Sequence, residues 1–236
     1  WSVKELHRLI VTSTAYRQSS HGTKKVMEKG SQVDPLNYLL WRMPLRRLES
    51  EALRDSVLAV SGKLNRTHGG PPIPLKNNPD GSVEIATEKL ASPDDRFRRS
   101  IYVTARRNYH LTELNVFDQP VIRHNCTRRE NSAVVLQSLA MLNSAFIFEQ
   151  ANHFAERVVR VAGEDDDARI EAAFRIALAR PPTEKERELS RSFYSRQASR
   201  AREKQDDGQD AAPSPITVLQ SLCQMILNTN EFMYVQ

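Results

Sequence analysis

Histidine, cysteine and arginine are the residues of this 236-residue chain best suited to chemistry. His7, His21, His68, His110, His124 and His153 are scattered. None lies three or four residues from another, and no His-Glu-x-x-His occurs, so no helix face offers two imidazoles to one metal ion. No Cys-x-x-Cys-His segment is present to attach a c-type haem. Gly-x-Ser-x-Gly is absent, and Gly69-Gly70 runs into prolines instead of a phosphate-cradling lysine. Cys126 stands out among single atoms. Arg123, Arg128 and Arg129 flank it and would favour its thiolate if it were exposed. An inert buried thiol is nonetheless the plainer reading of Cys126. Cys126 and Cys223 allow one disulfide, which their spacing does not decide.

Arginine carries the remaining signal. Five arginines fall between Arg96 and Arg107, and Arg123, Arg128 and Arg129 follow. The runs Arg106-Arg107-Asn108 and Arg128-Arg129 hold forked donors that match phosphate, sulfate or carboxylate groups. If they converge, they form an anion site. Acidic residues are interleaved with them, so the expectation is internal pairing with Asp118, Glu113 or Glu130. The net charge of +5 is mild, and aromatic residues do not alternate with the cations, so nucleic acid is not an expected partner.

Helices must position these groups. Ser2 and Glu5 have capping-box spacing, and Leu6, Leu9, Ile10 and Ala15 make an apolar stripe toward Tyr16. Residues 18–31 are polar and read as a loop. Asp34-Pro35 predicts a short helix to Trp41, and a longer one follows over 45–61 with Gly62 as its left-handed cap. Leu45, Leu48, Ala52, Ala59 and Val60 are its expected buried face, with Glu51, Arg54, Asp55 and Leu58 along one side. Prolines and glycines punctuate 63–95; Asp80-Gly81 predicts a hairpin leading into Val83 and Ile85, to which Ser100–Thr104 could pair. Helix resumes near Asn131. Val134, Val135, Leu136, Leu139 and Leu142 read as almost fully buried, and Ala145–Val161, Ala168–Ala179, a helix opened by a Thr183/Glu186 capping box, and a last helix from Pro215 complete the chain. Lys204–Ser214 reads as a polar loop.

The expected fold is therefore mainly α: a multi-helix domain with a long Pro/Gly-rich loop and at most a small hairpin. One domain is expected over 1–236, helical over 1–62, loop-rich over 63–130 and helical over 131–236. No apolar run approaches the ~18 residues that span a bilayer, so no membrane insertion is expected. The chain opens on Trp1 without a Met or a leader-like segment, which reads as a cut through a longer polypeptide.

Many short strings in fixed order resemble the planctomycete domain of unknown function 1553. They include Trp1–Tyr16, Asp34-Pro35-x-Asn37, Trp41-Arg42, Arg46–Asp55, Ser61–Leu64, Ser100-Ile101-Tyr102, Arg107-Asn108 and Phe117-Asp118-x-Pro120. Cys126-x-x-Arg129, Gln137–Ser144, Ala179–Thr183 and Leu227–Phe232 continue the match. The resemblance implies the C-terminal part of a large exported protein of the periplasm or cell envelope. A second uncharacterised domain (number 1549) and often a cytochrome c-like domain would lie upstream. Haem c would then belong to a neighbouring domain, with no cofactor or metal in this segment. The family has no established catalytic residues. Its recurring polar positions map onto Arg47, Glu51, Arg54, Asp55, Arg107, Asn108, Asp118, Cys126, Arg129, Gln137 and Asn143.

The leading reading is a non-catalytic accessory module whose partners are upstream domains of its own polypeptide. The alternative is an enzyme or binding domain for a sulfated or carboxylated polysaccharide, and nucleic-acid binding is third. Arg107, Asp118, Cys126 and Arg129 around one open pocket would mark an enzyme; the same groups buried and mutually bonded would mark a scaffold.

Overall fold

The computed structural model describes residues 1–107, 109–120, 129, 132, 134–206 and 215–235, without the side chains of 198–206 and 215. In chain order its elements are α1 (Val3–Thr12), α2 (Lys24–Val33), β1 (Arg46–Arg47), α3 (Ser50–Ser61), β2 (Leu75–Asn77), β3 (Val83–Ile85) and α4 (Thr112–Val116). They continue with α5 (Val135–Asn143), α6 (Ala145–Ala162), α7 (Asp166–Leu178), α8 (Glu184–Asp206), α9 (Pro215–Leu227), α10 (Asn230–Met233) and β4 (Tyr234–Val235). The chain is mainly α, with two small antiparallel ladders among the described residues. It divides into two compact units: residues 1–47 with Tyr234 and Val235, and residues 48–233.

In the first unit, Ser2 caps α1 by accepting from the Glu5 amide at 3.3 Å. The stripe of α1 is nonetheless uncovered, and no residue of the helix is buried. Residues 18–31, expected as a loop, contain most of α2. Gly30 does not break the helix. It sits mid-helix because the Trp41 ring lies against it, where a Cβ would fall 2.5 Å from Cε3. The helix expected over 35–41 is also absent. Asp34 instead gathers turns, its carboxylate accepting from the amides of Tyr38 at 3.0 Å and Leu39 at 2.7 Å. Asn37 and Leu40 adopt left-handed φ of 56° and 52°, which no helix tolerates. Arg46 and Arg47 pair with Val235 and Tyr234, a ladder the patterning did not announce because its partners lie far apart in the chain.

In the second unit, the helix expected over 45–61 starts at Ser50 and ends at Gly62, whose φ of 80° is the predicted cap. Its buried face is Leu53, Arg54, Val57, Leu58, Val60 and Ser61; of the expected face Val60 is buried, Leu48 is half-buried, and Leu45, Ala52 and Ala59 are exposed, so the face is turned from the one expected. α3, α7 and α9 all pack on α6. That helix buries Ile147, Ala151, Phe154, Ala155 and Val158, and the two alanines let neighbours approach closely. On α9, Leu219, Leu222, Cys223, Ile226 and Leu227 face the core as expected. α5 overturns its expectation. Val134, Val135, Leu136, Leu139 and Leu142 are exposed, while Gln137 and Met141 are buried.

The β2–β3 hairpin forms at the predicted turn, with Lys76 opposite Glu84. Residues 100–102 make a 3-10 turn instead of a strand. The neighbouring backbone still binds Ile73, whose amide donates to the Tyr102 carbonyl at 2.7 Å and whose carbonyl accepts from Thr104 at 3.0 Å. The Asn131 helix start and most of the 204–214 loop lie outside the described residues.

Candidate functional site

Residues 63–118 cross the second unit with few ladder bonds, so their buried carbonyls need donors from elsewhere. Arginine supplies them. Arg54, on the buried face of α3, donates through Nη1 to the Arg98 carbonyl at 3.0 Å and Ser100 Oγ at 3.2 Å, and through Nη2 to the Arg96 carbonyl at 2.7 Å. Asp55 takes the other side of the same loop, accepting from the Ser100 amide and hydroxyl, both at 2.7 Å. Arg98 is 2% exposed; it donates to the Pro71 carbonyl at 2.8 Å and to the Gly69 carbonyl. The Tyr102 ring, with its centroid 4.0 Å away, covers the guanidinium. Arg157 does the same for the end of α3, reaching the Ala59 and Val60 carbonyls at 2.8 Å. Among the mid-chain arginines, Arg98 serves backbone carbonyls, while Arg96 pairs with Glu149 at 2.6 Å and Arg99 with Asp55 at 3.4 Å.

Beside Arg54 lies a cavity of about 30 Å³, lined by Ser50, Leu53, Arg54, Glu113, Met141 and Phe146 among others. It holds ~2 waters and no organic substrate. Glu113 faces it from α4. Its Oε2 is closed off from solvent and has no hydrogen-bond partner among the described residues. Burial pushes the Glu113 carboxyl above the usual range, with the Arg54 charge pulling the other way. Burial also lowers Arg54, opposed by Asp55 and Glu113. Chemically this is a buried acid beside a fixed cation in a space sized for water. Neither α4 nor Glu113's burial was legible, because a five-residue helix has no periodicity to detect.

Two further clusters hold predicted positions. Arg129 donates to Glu51 through Nη1 at 2.6 Å and Nη2 at 3.2 Å, and lies 3.2 Å from Glu49. Burial raises the Glu51 carboxyl, but the Arg129 and Ser50 hydrogen bonds outweigh it and hold the group low. Asp118, at a left-handed φ of 62°, accepts from the Ser132 amide at 2.7 Å and from Gln137 Nε2 at 3.3 Å. The structure therefore joins Arg54 with Asp55, Glu51 with Arg129, and Asp118 with Gln137. Arg47 belongs to the first unit, and Arg107 and Asn143 are exposed. Asn108 and Cys126 lie outside the described residues, as do Arg128 and Glu130. Cys223 is a buried free thiol whose burial raises its pKa.

The densest ion cluster was missed. Arg180 donates to Glu231 through Nε at 2.6 Å and Nη2 at 2.5 Å, and to Glu186 through both Nη atoms at 2.8 Å. Glu186 also closes the predicted capping box: its Oε2 accepts from the Thr183 amide at 2.7 Å, while Thr183 Oγ1 accepts from the Glu186 amide at 3.3 Å. Arg180, then the Thr183 contacts, hold Glu186 down at about 2. An apolar cleft of about 260 Å³ between α7, α8 and α9 borders this cluster, walled by Phe174, Phe193, Leu222 and Ile226. The signal available beforehand was the string Ala179–Thr183, whose arginine has acidic partners both near and distant in sequence.

Among the described residues no group of three or more His, Cys, Asp and Glu side chains gathers as for a metal, and no helix is long and apolar enough to cross a membrane. A family model described as PSD1, protein of unknown function (DUF1553), matches residues 1–194. No curated protein and no solved structure matches the chain.

Proposed function

We propose, on the premise that the chain belongs to the PSD1 family of proteins of unknown function (DUF1553), that it is a non-catalytic helical accessory module. It would serve an exported, cytochrome c-associated multidomain protein of the cell envelope, with the upstream domains of that polypeptide as its partners. One observation carries the reading: the Arg54 guanidinium is 4% exposed and spends its donors on the Arg96 and Arg98 carbonyls and Ser100. A cation committed in this way stitches a loop to a helix and is not presented to a substrate. The adjoining 30 Å³ cavity supports the same reading, since drug-sized ligands fill clefts of ~300 Å³ or more.

Isolation of the full-length protein from the envelope fraction, followed by limited proteolysis, tests this. The module is expected to stay bound to a haem-bearing fragment after the linker is cut. Immediate separation of the two, or turnover of a sulfated or carboxylated glycan that Glu113→Gln abolishes, would overturn it.

A further inference from the structure

The first unit combines a basic charge with uncovered apolar side chains. Residues 1–47 hold nine Lys and Arg against three Asp and Glu, a net +6 in a chain whose total is +5. No residue of α1 or α2 is buried, and Leu6, Leu9, Val26, Val33, Leu39 and Leu40 are all exposed. Exposed large apolar side chains on a basic surface are what a contact face presents.

Within this unit a groove of about 710 Å³ runs between the end of α1 and the turn over 39–44. Leu39, Leu40, Met43 and Pro44 form its apolar wall, and Arg17 and Arg42 add its charge. Arg42 Nε is closed off from solvent and lacks an acceptor among the described residues, while the guanidinium carbon lies 5.3 Å from the Trp41 ring centroid. Arg42 as a whole is half-buried, so its guanidinium is a partly exposed cation with one shielded, unpaired donor.

We propose that this groove docks an amphipathic helix of a protein partner, one that pairs leucine-like side chains with flanking carboxylates. The inference rests on the accessory-module reading and names the chemistry of the partner's contact. A helix is a ridge ~10 Å across, which a concave groove of this volume accepts. A lipid bilayer presents a broad face that leaves such a hollow unfilled. The +6 charge selects carboxylates over ammonium groups on the arriving helix and speeds its encounter.

The test uses the whole chain and two fluorescein-labelled peptides of ~18 residues with leucine at helical spacing, one completed by glutamate and one by lysine. Fluorescence anisotropy is expected to show the Leu/Glu peptide bound about tenfold or more tighter than the Leu/Lys peptide, weakening as salt rises. Arg17→Glu with Arg42→Glu should reverse that order. Arg17→Glu alone, at an exposed position, should narrow it even if the double variant fails to fold. Equal affinity for both peptides, no binding of either, or an unchanged preference in Arg17→Glu overturns the proposal. So does tighter binding to phosphatidylglycerol vesicles that the Leu/Glu peptide cannot compete away. None of these failures alters the proteolysis outcome, so the groove and the accessory role fall separately.

Discussion

Arg180 grips both carboxylate oxygens of Glu231 across 51 residues, at 2.6 Å from Nε and 2.5 Å from Nη2, while its Nη atoms hold Glu186 at 2.8 Å. One guanidinium thereby ties the α7–α8 turn to α10. The three side chains are each about a third exposed, so the cluster is partly screened. Arg180→Ala should cost ~1–3 kcal/mol in urea unfolding at neutral pH, because two carboxylates lose their cation together. Arg180→Lys should recover only part, since an ammonium cannot make the forked contact. A change within error for Arg180→Ala would mean the cluster contributes nothing.

Glu186 makes the same cluster pH-dependent. Its folded value of about 2 lies below its ordinary 4.5. A depressed carboxylate stabilises the fold above pH 4.5, and that stability drains away as pH falls from 4.5 toward 2. Glu186→Gln should therefore cost ~1–2 kcal/mol at pH 7 after screening, with the gap to wild type closing through that acid window. A gap independent of pH would refute the assignment.

Glu113 should behave in the opposite sense. Burial raises its pKa. The folded state thus favours the protonated acid, and stability falls as pH rises through the raised value. Glu113→Gln, which is neutral at every pH, should be more stable than wild type at pH 8 and converge with it at pH 4. Thermal unfolding at the two values decides it, and a glutamine variant less stable at pH 8 would show that the Arg54 attraction dominates.

Arg54→Met should destabilise the second unit by ~3–5 kcal/mol, since the Arg96 and Arg98 carbonyls would lose their buried donor. Hydrogen exchange should accelerate first at 98–104, before the α6 core responds. Uniform loss of protection would argue against a local stitch.

Gly30→Ala should weaken the first unit, although alanine normally gains ~1 kcal/mol over glycine in a helix. The new Cβ would meet the Trp41 ring at 2.5 Å. Displacing that ring should cost ~1–3 kcal/mol and shift the tryptophan emission to the red. A stabilised variant with unchanged emission would contradict the packing.

Local chemistry was legible in the sequence wherever a few neighbouring residues decide the backbone. The Ser2 and Thr183 caps, the Gly62 terminus and the Asp80-Gly81 hairpin all depend on contacts within about one helical turn. Tertiary structure alone decided which face of α3 is buried, that α5 leaves its leucines uncovered, and that Gly30 belongs inside a helix. It also chose the arginines' acceptors: Arg54 reaches carbonyls 42 and 44 residues away, and Arg129 reaches Glu51 at 78. A guanidinium donates to carbonyl and carboxylate oxygens alike, so sequence identity cannot name its partner. Which oxygen lies within reach is a matter of how the loop is folded over the helices.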